Sequence, residues 1–196
     1  MAGRPQRVTD EEILDAVATT ISSVGPHRLT VAAVARRIGV TAPAIQQRFG
    51  SKQDLLVAFA ARSAENAGLI FEEADGEAAD PLDAVIEGLA AGASFRDRTE
   101  LAHHLALLHL DLTDPQLGEH AVAHSRAVTA GVRARVVAAR GAGMLSPAVS
   151  VDDLTDAIYT SYNGALVTWA IDGTGPLTDW VRTRLGRTLE PHRRRE

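Results

Sequence analysis

The sequence predicts an all-α protein: an N-terminal three-helix domain of helix-turn-helix type followed by a larger helical body, about nine helices in all. Three observations lead there. Apolar residues recur at intervals of three and four along most of the chain, and no segment alternates as a half-buried strand would. Four helix-start signatures follow one another within the first 54 residues. Between two of them a single glycine, Gly39, separates two helix-forming pieces too short to stand alone.

The first helix opens at Val8-Thr9 with Glu12 and Ile13, a capping box with an apolar residue on either side of the cap. The second opens at Leu29-Thr30, and its apolar residues Val31, Val34, Ala35 and Ile38 share one face. Gly39 then stops it, since a residue without a Cβ takes a positive φ at no steric cost. Val40-Thr41 starts the third helix, which carries Pro43 in its first turn, where no N–H is needed, and buries Ile45 and Phe49. Its other face, Ala42, Pro43, Gln46 and Gln47, is left for a ligand. Glutamine offers the paired donor and acceptor that match an adenine edge in a major groove, so this is the expected reading helix. Ser51 with Asp54 opens a fourth helix, expected from Lys52 to about Glu73.

Charge supports the same reading. From Ala16 to Gln53 there are five cations, Arg28, Arg36, Arg37, Arg48 and Lys52, and no Asp or Glu, in a chain whose formal net charge is −5. Residues 1–60 balance at +2 and residues 61–196 at −7. A small module that meets phosphate on an otherwise acidic body is the implied arrangement, not a chain that coats nucleic acid everywhere. Arg4 and Arg7 flank Pro5 in a short leading arm, which either reaches a minor groove or frays.

Further helices are expected near 82–94, 97–111, 115–140, 151–171 and 177–188, with breaks at Gly76 to Pro81, Thr113-Asp114-Pro115, Gly141 to Pro147 and Asp172 to Pro176. Ser150 with Asp153 repeats the capping signature. In the penultimate helix Val151, Leu154, Ile158, Tyr162, Ala165 and Trp169 form one stripe, with Ala157, Gly164 and Ala165 allowing close helix approach; Leu177, Trp180, Val181, Leu185 and Leu189 add a second stripe. These helices pack inward, across a two-fold, or both. A homodimer also suits the task, because two symmetry-related reading helices match a palindrome with half-sites about 34 Å apart. The basic end, His192 to Arg195, reads as a solvated tail.

Residues 9–60, through ILDAVATTISSVG, LTVAAVARRIGV and TAPAIQQRFGSKQDLL, resemble the DNA-binding domain of the tetracycline-repressor (TetR) family of transcriptional regulators. Two positions depart from the usual pattern: Gln46 stands where many members carry an aromatic residue, and Arg48 where they carry His. The resemblance implies a DNA-binding domain over 1–53 and a helical ligand-binding and dimerisation domain over 54–196, whose two closing helices build a four-helix bundle with a partner. It implies Ala42, Pro43, Gln46 and Gln47 at base edges and Thr30, Thr41, Arg48 and Lys52 at phosphates. It also implies a cavity in the body for a small-molecule effector, with His104, Leu108, His109, His124, Tyr162 and Trp169 as candidate lining residues, though for the aromatics core packing is the competing reading. The expected function is a repressor released from a palindromic operator by its effector. The alternative is a helix-turn-helix protein whose body docks another protein.

An enzyme is not expected, because the chain has no nucleophile motif, Walker loop, dinucleotide glycine pattern or metalloprotease signature. Histidines 103, 104 and 109 fall on one expected helix, and His120 and His124 on the next at a spacing that lets two imidazoles face one metal. Two ligands do not make a site. With no cysteine, and with Asp111, Asp114 and Glu119 near only in sequence, neither metal nor cofactor is expected. No run approaches a membrane span and the start lacks an apolar signal region, so a cytoplasmic protein is expected.

Overall fold

The computed structural model describes residues 8–194; the arm arginines Arg4 and Arg7 lie outside the described residues, as does Arg195. In order, its helices are α1 Asp10–Val24, α2 Val31–Arg37, α3 Ala42–Phe49, α4 Lys52–Asn66, α5 Ile70–Glu77, α6 Pro81–Gly92, α7 Arg98–Thr113, α8 Pro115–Gly141, α9 Val151–Asp172 and α10 Leu177–Leu189, closed by a 3₁₀ turn at Glu190–His192. Among the described residues the only β pairing is an isolated bridge between Leu145 and Arg193. The chain divides into two compact units, one running to Ser63 and including Ala102–Ala121, the other formed by Ala64–Leu101 and the chain from Val122 onward. The sequence reading divides it after residue 53.

The first unit is built on α1 to α3. Thr9 and Glu12 close a full capping box, with the Thr9 N–H donating to Glu12 Oε2 at 2.7 Å and the Glu12 N–H to Thr9 Oγ1 at 3.2 Å. Asp10, Glu11 and Glu12 in the first turn face the positive end of the helix dipole. Ile13, Val17, Leu29, Val34, Ile45 and Leu55 meet in one core, each at most 1 % exposed, and Leu117 of α8 joins them. Gly25 ends α1 at φ +78°; a Cβ there would also sit 3.0 Å from His103 Cδ2, and His103 Nδ1 lies 2.8 Å from the Ser22 carbonyl oxygen. Arg62 ties α4 to α1 through Glu11 Oε2 at 2.9 Å and Asp15 Oδ1 at 2.8 Å. Gln53 Nε2 donates to Asp114 Oδ2 at 2.8 Å, while Asp114 Oδ1 accepts the Gln116 and Leu117 N–H groups and so starts α8.

Gly39 has φ +70° and no atom within 4 Å of the place a Cβ would occupy. Its necessity is therefore conformational, not spatial. Gly39→Ala is expected to cost about 1–2 kcal/mol from the left-handed backbone alone. A urea unfolding curve measures it, and an unchanged midpoint would contradict the positive φ.

In the second unit α6 packs on α5 and α10, and α10 on α9. Leu82, Val85 and Leu89 of α6, Leu154 and Ile158 of α9, and Val181, Leu185 and Leu189 of α10 are buried. Thr188 Oγ1 donates to Ser161 Oγ at 2.9 Å between α10 and α9, and Arg182 pairs with Glu87 of α6 at 2.8 Å.

Two expectations are corrected. The helix from Lys52 does not run unbroken to Glu73: it stops at Asn66 and resumes at Ile70, because the Ala67 and Leu69 N–H groups bond three residues back and tighten the chain around Gly68. The basic end is not a free tail. Arg193 donates to Asp80 and Asp83 at 3.3 and 2.9 Å, and the Arg194 N–H donates to the Met144 carbonyl at 2.7 Å.

Candidate nucleic-acid interface

Helix α3, the expected reading helix, is short and is held from several sides. Thr30 caps α2 by accepting the Ala33 N–H at 3.1 Å, and Thr41 caps α3 by accepting the Ala44 N–H at 3.3 Å. Ile45 is 1 % exposed, and Phe49 is half-buried against the same core. Pro43, Gln46 and Gln47 stand exposed on the opposite face. Ala42 does not stand fully free: it is half-buried and packs on the core. Ala44, which the sequence reading passes over, is exposed in the same turn; its place follows from the burial of Ile45 once the core side is fixed. The outward surface of α3 is thus small at its start and amide-bearing further on, a shape that admits base edges to the two glutamines.

The cations divide into two sets. Arg48 is exposed but partnered: its guanidinium donates to the Val8 carbonyl and pairs with Asp10, binding the end of α3 to the start of α1. Lys52 Nζ donates to the Pro26 and His27 carbonyl oxygens, both at 3.2 Å, and closes the turn before α2. Arg37 Nη2 donates to Ser23 Oγ at 3.2 Å. Arg28 and Arg36 are exposed and, among the described residues, their side chains have no hydrogen bond or ion pair.

Ser51 and Asp54 fix the start of α4. Asp54 Oδ2 accepts the Ser51 N–H at 2.8 Å and its hydroxyl at 2.7 Å, and the Asp54 N–H donates to Ser51 Oγ at 3.2 Å. The Ser51 backbone N–H, followed by the Ser51 hydroxyl, holds the Asp54 carboxyl below its ordinary 3.8. A carboxylate favoured in the folded state stabilises it above the unfolded pKa, and that contribution is lost as pH falls through the folded pKa. The cap is therefore expected to be intact at neutral pH and to open only under acid. An NMR titration of the Asp54 carboxyl carbon checks this, and an ordinary pKa would mean the box is open in solution.

Of the expected effector-lining residues, His104, Leu108, His109 and His124 stand exposed on α7 and α8. Trp169 is buried at 6 % exposure, and its indole N–H donates to the Gly175 carbonyl at 3.2 Å, so it serves the α9–α10 turn. Tyr162 is half-buried, with its hydroxyl oxygen 3.5 Å from where a Cβ on Gly92 would lie. Loss of solvent, helped by Tyr159, pushes its phenol up to about 12. Among the described residues no group of three or more His, Cys, Asp or Glu could hold a metal. Nor is any helix among them long and apolar enough to cross a membrane.

Residues 13–59 match the family described as bacterial regulatory proteins, tetR family. No curated protein sequence matches the chain. Its fold is similar to that of a TetR transcription regulator from Haloarcula marismortui ATCC 43049, 17 % identical over 94 % of this chain and 98 % of that one, with a TM-score of 0.79. It is also similar to a protein assigned as a TetR-family transcriptional regulator from Rhodococcus sp., 19 % identical over 93 % and 97 %, TM-score 0.74. A protein assigned as a transcriptional regulator from Saccharomonospora viridis, in complex with choline, is 18 % identical over 95 % and 98 %, TM-score 0.76. Residues 13–59 are thus a DNA-binding domain of the tetR family of bacterial regulatory proteins, carried by a chain with the fold of the TetR regulators.

Proposed function

We propose that the chain is a sequence-specific DNA-binding regulator acting as a homodimer in the cytoplasm, and a repressor that a small-molecule effector releases from a palindromic operator. The observation that carries the DNA part is α3: a helix capped by Thr41, anchored through Ile45 and Phe49, and exposing Pro43, Gln46 and Gln47 on one side. Gln46 and Gln47 read base edges beside the small residues Ala42 and Pro43, and Thr30, Thr41, Arg48 and Lys52 approach phosphates. Residues 1–53 supply this reading function, and 54–196 supply effector binding and dimerisation.

Dimerisation is supported by the side of α9 turned away from its core stripe. Val151, Leu154, Ile158, Ala165 and Trp169 are buried within the chain, whereas Ala157, Gly164, Val167 and Ile171 are exposed, the last at 72 %. No atom lies within 4 Å of where a Gly164 Cβ would be, so a second helix has room to approach. For the effector, Tyr162 is the best-placed polar anchor of the six candidates, because its phenol is already desolvated and among the described residues has no hydrogen-bond partner. A repressor role is in keeping with one protein of similar fold, the repressor of a multidrug efflux pump of Stenotrophomonas maltophilia.

Selection of bound duplexes from a random pool by the purified protein tests this reading. Enrichment of one palindrome, bound by two subunits, is the expected result. Failure to enrich any sequence at low salt would overturn it.

A further inference from the structure

The side chains of α3 divide by angle as well as by exposure. Each residue turns an α-helix by about 100°. Buried Ile45, half-buried Phe49 and half-buried Ala42 fall within about 60° of one another and fix the core side. Gln47 points within about 15° of the opposite direction, and Pro43 and Ala44 lie about 50° to either side of it. Thr41, Gln46 and Arg48 are roughly a right angle from that direction, at the borders. The centre of the exposed face is therefore one amide with two small apolar side chains a turn before it.

Those two side chains are set before any ligand arrives. The Thr41 hydroxyl accepts the Ala44 N–H at 3.3 Å, and Pro43, in the first turn, has no N–H to satisfy. Proline and alanine also have no rotamers to lose on contact. An apolar surface cannot hydrogen-bond a base edge, but it can cover the 5-methyl group that thymine displays in the major groove. Side chains three and four apart on a helix have Cβ atoms about 5–6 Å apart, and stacked bases lie about 3.4 Å apart. A methyl group against Pro43 and Ala44 is thus within one base pair of an adenine held by Gln47.

We infer that Pro43 and Ala44 form an apolar shelf that reads a thymine methyl group in each half-site, in the pair that Gln47 reads or the one stacked on it. This rests on the DNA-binding reading above and adds the class of sequence sought. The shelf selects thymine over cytosine with no hydrogen bond, and with no charge involved its contribution does not vary with salt.

The experiment uses the intact protein and the palindrome it selects, with one position at a time changed in both half-sites. Thymine is replaced by deoxyuridine, which lacks the methyl group, and adenine by 7-deazaadenine, which lacks the N7 acceptor. At least one deoxyuridine is expected to weaken binding about fourfold per half-site, the worth of one buried methyl group, by the same factor at low and high salt. That thymine is expected within one base pair of the adenine whose 7-deaza form weakens the parent but not Gln47→Ala. In a variant carrying both Pro43→Gly and Ala44→Gly the deoxyuridine penalty is expected to vanish.

Parent binding insensitive to every deoxyuridine would overturn the inference, whether or not the glycine variant folds. A penalty that persists in the glycine variant would do the same, since the methyl group then acts through the shape of the duplex. So would a sensitive thymine with no such adenine within one base pair. Failure of the parent to bind any duplex would instead sink the DNA-binding reading itself, a result distinct from these.

Discussion

Phe71→Ala is expected to destabilise the protein by about 3–5 kcal/mol, the range for a fully buried aromatic ring cut back to a methyl group. Phe71 is 0 % exposed, and glycines on two different helices make room for it. A Cβ on Gly131 of α8 would lie 2.5 Å from both Cδ2 and Cε2 of the ring, and one on Gly88 of α6 would lie 2.6 Å from Cδ1. The Arg135 guanidinium sits 4.6 Å from the ring centroid and donates to the Phe71 carbonyl at 3.2 Å and to Asp75 Oδ1 at 2.8 Å. Truncation therefore loses ring burial, opens a cavity between α6 and α8, and strips one face from a guanidinium whose side chain is only 15 % exposed. The converse substitution, Gly131→Ala, should also destabilise, by about 1–3 kcal/mol, because the ring cannot retreat from Gly131 without meeting Gly88. Denaturant unfolding of the two variants checks both values. A Phe71→Ala cost near that of a surface substitution would show that this ring does not hold α5, α6 and α8 together.

What could be read in advance follows from how local each determinant is. The starts of α1, α2, α3, α4 and α9 were legible because a cap and its partner lie three residues apart, as Thr9 with Glu12 and Ser51 with Asp54 do. The stop at Gly39 was legible because one residue's backbone freedom decides it. Contacts between residues far apart in the chain were not legible. Arg193 reads as part of a solvated basic end until Asp80 and Asp83 are brought to it, and nothing in the sequence places the Pro26 and His27 carbonyls beside the Lys52 ammonium.

The candidate effector residues were the least legible, for a related reason. Leucines occupy positions 101, 105, 107, 108, 110 and 112 of α7 and so surround the helix, leaving no period to say which side faces a core. The structure buries Leu101, half-buries Leu107 and Leu110, and leaves Leu108 at 46 % and Leu112 at 78 % exposure. Helix α3 differs because its two core-facing residues, buried Ile45 and half-buried Phe49, are its only large apolar ones, and everything opposite them faces outward.

That outward face is the ground for the second prediction. Gln47→Ala is expected to cost about 1–3 kcal/mol on the selected palindrome, the worth of one good bidentate base contact, and to change binding to random duplex little. Gln47 is exposed and takes no part in the caps or the core that shape α3, so the loss should not come from the helix itself. The helix propensity of alanine, if anything, favours α3. The ratio of specific to random affinity is therefore the quantity to measure, with thermal unfolding as the control for fold. Thr41→Ala makes the contrasting case, since it removes the cap that receives the Ala44 N–H and should lower stability by about 1 kcal/mol. Equal losses on both duplexes for Gln47→Ala would place this glutamine at the phosphate backbone and transfer the reading of sequence to Gln46 alone.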